Sequence, residues 1–162
     1  MVREIKENEL NELLELYLFL HEDCVPQTTE HLKNTWKTIL EDKNHHIIVK
    51  EVNGKIVSSC VCVIIPNLTR NVRPYAFIEN VVTHSDFRGK GYATLLIKNV
   101  QKYLSHNKHR IIYSHISKHN GPSLAVHNKC GFHIIKDYAV YSDGSVLQNC
   151  YTLAYEYKKC EI

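Results

Sequence analysis

The residues best suited to chemistry lie in FRGKGYATLLI, Phe87 to Ile97, where Arg88, Gly89, Lys90, Gly91, Tyr92 and Ala93 run straight into an amphipathic helical pattern. A helix start presents N–H groups that have no intrahelical acceptor and carries a partial positive charge. Glycines let the backbone approach a ligand closely. Arg88 and Lys90 add cationic charge. Together these features suit a phosphate or pyrophosphate. The loop is not a P-loop, because G-x-x-x-x-G-K-[ST] is absent. It is not a dinucleotide fingerprint either, which needs a third glycine and an early βαβ position. Taken alone, RGKG reads equally well as a surface turn with two convenient glycines.

Other reactive side chains point less clearly. The six cysteines, Cys24, Cys60, Cys62, Cys130, Cys150 and Cys160, form no C-x-x-C pair. Scattered thiols without a framework read as reduced cysteines of a cytoplasmic protein. There are eleven histidines, among them His45-His46 and the pair His115 and His119. Carboxylate or thiolate partners at metal-ligand offsets are missing, so no metal site is expected.

The elements that must position the loop follow from periodicity and punctuation. Val2 to Lys6 alternates as a short strand. Asn8 is placed to cap a helix carrying Leu10, Leu13, Leu14, Tyr17, Leu18 and Leu20, ending near Asp23-Cys24 before Pro26. Thr28 or Thr29 caps a second helix through about Leu40, with Leu32, Trp36 and Ile39 along one side. His46 to Val52 and Lys55 to Ile65 form a hairpin across Asn53-Gly54. After Pro66 and a loop over residues 67–73, Tyr75 to Thr83 is a strand leading into the glycine loop and a helix through about Leu104. Arg110 to Ile116 is a strand. Asn120-Gly121-Pro122-Ser123 opens a short helix that Gly131 closes. His133 to Ser142 and Val146 to Tyr157 form a last hairpin across Asp143-Gly144. The order β-α-α-β-β-β-α-β-α-β-β predicts an α/β domain, a mixed sheet with helices on its faces.

Composition bounds the function. A chain of 162 residues with 44% hydrophobic content can build one compact core, so a single domain over 1–162 is expected. The net charge of +3 is too mild for a nucleic-acid binder, whose cations cluster in stripes. The opening MVREIKENEL lacks the apolar segment of a secretory signal, and the longest apolar run, Val61 to Ile65, is too short to span a bilayer. No membrane partner and a cytoplasmic location are expected.

R-G-K-G-Y-A fits [QR]-x-x-G-x-[GA], and with the elements around it the chain resembles the GNAT superfamily of acyl-CoA-dependent N-acyltransferases over about residues 2–157. Ile78 to Ile97 carries the specific part, and Asn120 to Phe132 looks like the family's second cofactor-contacting segment. The resemblance implies a mostly antiparallel sheet of about seven strands, flanked by about four helices and splayed at the central strands. It implies acetyl-CoA as co-substrate. The N–H groups of Arg88, Gly89, Lys90, Gly91, Tyr92 and Ala93, with the Thr94 N–H and hydroxyl, would cradle the pyrophosphate. The pantetheine arm would lie beside Val81, Val82 and Thr83. Asn120, with help from Ser123, would contact its acetyl-proximal end, and Lys90, Lys98 or another cation would meet the ribose 3′-phosphate.

The implied reaction is acetyl transfer to a primary amine. It needs an acceptor for the amine's proton, a donor for the oxyanion and, for the leaving thiolate, an acid. The resemblance points to the Val82 N–H or its neighbour as oxyanion donor. Glu79 is the base, directly or through water; it shares strand parity with Phe77 and Val81, so all three are expected on one side. The family's best-known base carboxylate would align at Phe77. His127 takes the place of a tyrosine that protonates the thiolate in many relatives. The pattern Asn120…Ser123…His127…Gly131-Phe132 is similar to that of the phosphinothricin-type amino-acid acetyltransferases. Tyr138 and Tyr141 are back-up donors.

Acceptor choice in the family falls on segments that here contain Glu22, Asp23, Trp36, Arg70, Arg73, Tyr138 and Tyr141. A carboxylate pair would suit a polyamine or aminoglycoside, and an arginine pair an acceptor carboxylate or phosphate. The strand IENVV is also similar to that of glucosamine-phosphate acetyltransferases, which keeps a sugar phosphate open. A small-molecule amine is the first expectation; a peptide or protein acceptor and a non-catalytic acyl-CoA-binding module are the alternatives. A homodimer through the last hairpin, with Leu147 and Leu153 in the interface, is expected by resemblance.

Overall fold

The computed structural model describes residues 1–20, 22–109, 111–140 and 144–157. Nine strands, β1 (Val2–Glu4), β2 (His45–Val52), β3 (Lys55–Ile65), β4 (Tyr75–Thr83), β5 (Ile111–Ser117), β6 (His133–Lys136), β7 (Ala139–Val140), β8 (Val146–Leu147) and β9 (Cys150–Glu156), alternate with α1 (Leu10–Tyr17), α2 (Glu30–Glu41), α3 (Tyr92–His106) and α4 (Gly121–Lys129). Seven strands form one sheet in the order β1-β2-β3-β4-β5-β9-β6, and β7 and β8 pair separately. Every pairing in the sheet is antiparallel except β4 with β5. This is the mixed, mostly antiparallel architecture that the sequence predicts.

The sheet separates two cores. On one face Cys60, Cys62, Ala76 and Ile78 pack with Leu96, Ile97 and Leu104 of α3 and with Phe132. On the other, Val61, Ile47, Val49 and Val82 pack with Leu13 and Leu16 of α1 and with Trp36 of α2. Alternation along β3 decides which residue serves which core. Asn53 and Gly54, at φ 51° and 78°, supply the left-handed pair that a tight hairpin turn requires.

Local chemistry corrects several boundaries. Glu9, not Asn8, organises the entry to α1. Its carboxylate accepts from the Lys6 N–H at 2.8 Å and is gripped by Arg3 at 2.7 Å, and Arg3 also holds Glu51 at 2.8 Å. A 3₁₀ turn over Glu7–Glu9 therefore precedes α1, which ends at Tyr17 rather than near Asp23. Thr29 caps α2, its Oγ1 accepting from the Leu32 N–H at 3.1 Å. Trp36 lies in the core and donates Nε1–H to the Glu7 carbonyl at 3.0 Å, so it is a clamp between helices. Within the expected loop over 67–73, Arg70, Asn71 and Val72 make a left-handed turn at φ 57°, 63° and 56°.

The last hairpin is shorter than predicted. The β6–β9 register shifts between Ile134 and Lys136, and the Thr152 hydroxyl takes the Tyr138 carbonyl at 2.7 Å in place of a ladder bond. The chain then leaves the sheet and makes only the two-residue strands β7 and β8. Tyr141 and Ser142, from the expected strand, and Asp143, from the expected turn, lie outside the described residues. Leu153 is fully buried beneath β9, so it is core and not interface; Ile134, Ile135, Val140 and Val146 are the exposed apolar side chains in this region. No helix among the described residues is long and apolar enough to cross a membrane.

Candidate active site

Strand β4 is where the sheet opens. It pairs with β5 only at Ala76↔Ile112 and Phe77↔Tyr113. Beyond that point the strands part, and the buried Ser114 hydroxyl donates to the Ile78 carbonyl at 3.1 Å in place of a backbone bond. On its other edge β4 carries a bulge. Register jumps from Val61↔Glu79 to Ser59↔Val82, leaving Asn80 and Val81 opposite Cys60, with Asn80 at φ 48°. A bulge re-aims every side chain that follows it. Val81 therefore packs with Ile78 and the α3 side, whereas Val82 packs with Leu13 and Trp36 on the α1 side. The shared face predicted for Phe77, Glu79 and Val81 is corrected accordingly, since the extra residue returns Val81 to the other face.

The splayed end of β4 opens onto a cleft of about 480 Å³. Val81, Val82 and Thr83 line one side. The glycine loop and α3 supply Arg88, Gly89, Gly91, Tyr92, Ala93 and Thr94, and α4 supplies Asn120 and Ser123. The α3 ladder begins with Leu95 N–H donating to the Gly91 carbonyl at 2.9 Å, so the N–H groups of Tyr92, Ala93 and Thr94 have no acceptor within the helix. Gly89 and Gly91 sit at φ 75° and 77°, and a Cβ built on either meets nothing within 4 Å. Free N–H groups, a helix start and open space at both glycines are the features that suit an anion.

The sequence profile of the acetyltransferase (GNAT) family matches residues 10–132, from α1 to the end of the α4 segment. The chain belongs to this family. It is 27% identical over 138 residues to an uncharacterized N-acetyltransferase of Methanocaldococcus jannaschii, covering 81% of this chain and 59% of that protein. The chain thus spans a little under three-fifths of that relative's length. Among solved structures it is similar to a protein of Agrobacterium tumefaciens str. C58 assigned as an acetyltransferase, at 32% identity and TM-score 0.78, covering 84% of this chain and 94% of the other. An acetyltransferase of Trypanosoma brucei is 25% identical at TM-score 0.72, with the same coverage.

Several predicted side chains of this GNAT domain have other duties. Arg88 donates Nε–H to the Thr83 carbonyl at 3.1 Å and Nη2–H to the Phe19 carbonyl at 3.2 Å. It ties the strand end to the turn after α1, and its backbone N–H donates to the Ser85 carbonyl at 3.2 Å, so the Arg88 N–H expected in the cradle is already engaged. Lys90 is absent from the cleft lining, and its ammonium sits 4.6 Å from the centre of the ring of Phe87, which lines it. Asn120 caps α4, its Oδ1 accepting from the Ser123 N–H at 3.1 Å. Arg73 is committed to the Lys108 and His109 carbonyls, at 3.2 and 3.0 Å.

His127 does not line the cleft. It is 1% exposed and packs edge-on against Phe132, with Nδ1 2.9 Å from the Ser123 carbonyl. The ring donates through Nδ1–H there, while the buried Nε2 has no partner. Burial lowers its pKa, only partly opposed by the Ser123 carbonyl, so the ring is neutral at neutral pH. Glu79 is exposed and lies outside the cleft lining, near His45 and His115. Loss of solvent lowers the pKa of both histidines, and the Glu79 charge pulls in the opposite direction.

Sequence reasoning missed Phe19, Leu20, Phe87, Val126 and Lys129, all in the cleft wall. Val126 and Lys129 were findable, because they follow Ser123 at successive three-residue steps on one face of α4. Phe19 and Leu20 come from the turn after α1, and no local signal marks them.

Proposed function

We propose that this chain is an acetyl-CoA-dependent N-acetyltransferase that moves an acetyl group to a primary amine of a small molecule by direct attack on the thioester. One observation carries the reading: the open glycine cradle at the α3 N-terminus and the splayed, bulged end of β4 face the same cleft. When bound, acetyl-CoA supplies an acyl group activated as a thioester. The free N–H groups of Tyr92, Ala93 and Thr94 suit its pyrophosphate, and Arg88 and Lys129 add cationic charge in the cleft wall. Beyond Phe77 the β5-side edge of β4 has no strand partner and offers backbone groups around Val81 to the pantetheine arm, while the Val82 and Thr83 carbonyls are held by Ser58 and Arg88. The Val82 N–H serves as donor to the carbonyl oxygen as charge develops on it.

Glu79 accepts the proton that the ammonium must lose, directly or through a held water. We assign His127 to the positioning of α4 rather than to proton delivery. Its only N–H is committed to Ser123, and burial disfavours the protonated ring it would need as an acid. The likeness to phosphinothricin-type enzymes rests on the spacing of Asn120, Ser123 and His127 alone.

Two thiols of the sheet core are poor candidates for a covalent step. Cys60 and Cys62 are buried in the core, and burial raises both pKa values, that of Cys62 to about 12. Neither supplies a thiolate for an acyl-enzyme. A thiol-release assay with acetyl-CoA against amino sugars, polyamines, arylalkylamines, amino acids and short peptides tests the proposal. Release with one class of small amine is expected. Tight CoA binding with no release from any amine would overturn it.

A further inference from the structure

The sheet face that carries Glu79 also carries four rings in contact. Register places Phe77 directly beside Tyr113, with ring centres 5.4 Å apart. Tyr75 stands 6.3 Å from Phe77 and 6.0 Å from Tyr113, and His115 stands 5.6 Å from Phe77. The first three are half-buried and His115 is exposed, so the rings form an accessible platform rather than core. Glu79 follows Phe77 on the same face, and both are paired with the β3 residues Val61 and Val63. Along the strand it lies three residues before Val82, within about 10 Å of the end of β4 that lines the cleft.

Glu79 is the one formally charged side chain among the platform residues. His45 and His115 are neutral at neutral pH. Among the described residues nearby, Arg73 is held on backbone carbonyls, Lys118 over Tyr151 and Lys136 over Tyr138. Glu79 adds a negative charge on the face that carries Tyr75, Phe77 and Tyr113, whose π faces are themselves electron-rich toward cations. An acceptor with a carboxylate or phosphate next to its amine would bring like charge against Glu79.

We infer that the β4–β5 platform of Tyr75, Phe77, Tyr113 and His115, with Glu79 at its end, selects an aryl- or alkylammonium acceptor with an apolar body and no anionic group near the amine. This rests on the proposed acetyltransferase reading and narrows it, against the amino-acid and sugar-phosphate acceptors that the sequence leaves open.

The test is calorimetric binding to the CoA-saturated protein with three matched probes, 2-phenylethylamine, phenylalanine and 2-phenylethanol, followed by thiol release with acetyl-CoA and a broad amine panel. The amine should bind at least about tenfold more tightly than either analogue. Tyr113→Leu or Phe77→Leu should weaken it about 2- to 30-fold, the range of a cation–π contact, with CoA affinity unchanged. Glu79→Gln, an exposed substitution that leaves the fold intact, should abolish the preference for the amine over the alcohol. Equal binding of amine and amino acid, or no binding of the amine, would overturn the inference even if another amine is acetylated. Selective binding of the amine with no thiol release from any amine would instead overturn the proposed function.

Discussion

Gly91→Ala separates the cradle's role in folding from its role in binding. Gly91 is the N-cap of α3 at φ 77°, and an added Cβ meets nothing within 4 Å. No clash arises, so the folding cost is conformational alone. An L-residue in the left-handed region costs about 1–2 kcal/mol, and the stiffer unfolded chain returns about 0.4–1 kcal/mol. A net loss of about 1 kcal/mol lowers Tm by about 2–4 °C in a chain of this size. Gly54 is a matched control. It sits at φ 78°, equally open, but in the β2–β3 turn outside the cleft wall. Gly54→Ala should lose the same stability. Only in Gly91→Ala does the methyl group occupy the space in which an anion meets the α3 N–H groups. Losing one charge-assisted hydrogen bond, about 1.5–3 kcal/mol, weakens CoA at least about tenfold. Thermal melts and calorimetric titration with CoA measure both quantities. If the two variants melt alike and bind CoA alike, the pyrophosphate does not sit on this loop.

Three further outcomes follow from named contacts. Because burial lowers the His127 pKa, the unfolded chain takes up that proton first. The stability due to the neutral ring is full above the ordinary value of 6.5 and is lost as pH falls below it. The slope does not exceed about 1.4 kcal/mol per pH unit. His127→Phe should flatten urea-unfolding stability across that acidic range, and should lower kcat less than about tenfold, where loss of a general acid costs about 10²–10⁴. Arg88→Ala frees the Phe19 and Thr83 carbonyls, so amide exchange should accelerate across Leu18 to Leu20 and acceptor KM should rise more than CoA Kd. Arg3 holds the Glu9 and Glu51 carboxylates below their usual range. Arg3→Met should therefore lower the urea midpoint at neutral pH, and its effect should begin to fade as pH falls below the ordinary carboxylate value of 4.5 and vanish only once pH has passed through the lowered native values.

What the sequence made legible was what short-range chemistry decides. Asn53-Gly54 needs only its own two residues to specify a hairpin, and Thr29 caps α2 from within four residues. The open glycine loop at the α3 start was legible because glycines and helix start are adjacent in the chain. Failures occurred where a distant residue intervened. Asn8 lost the helix entry to Glu9 because Arg3 reaches across from β1. The parity of Glu79 and Val81 broke at a bulge that IENVV does not signal, since only pairing against β3 creates it. His127 matched a catalytic position in spacing, yet packing against Phe132 turned its ring into the core. Arg88 was read as charge for a phosphate and is instead a strap between Thr83 and Phe19.

The reaction proposed for this chain is one-step acetyl transfer from acetyl-CoA, bound in the β4–α3 cleft, to a small amine. The most direct measurement is to incubate the protein with acetyl-CoA, with and without an accepted amine, and to quantify free CoA thiol, acetylated amine and the mass of the intact protein together. The account predicts that thiol and acetylated amine appear in equal amounts, only when the amine is present, while the protein mass stays unchanged. An acetylated protein formed with acetyl-CoA alone, chased by the amine, or thiol release without acetylated amine, would contradict it.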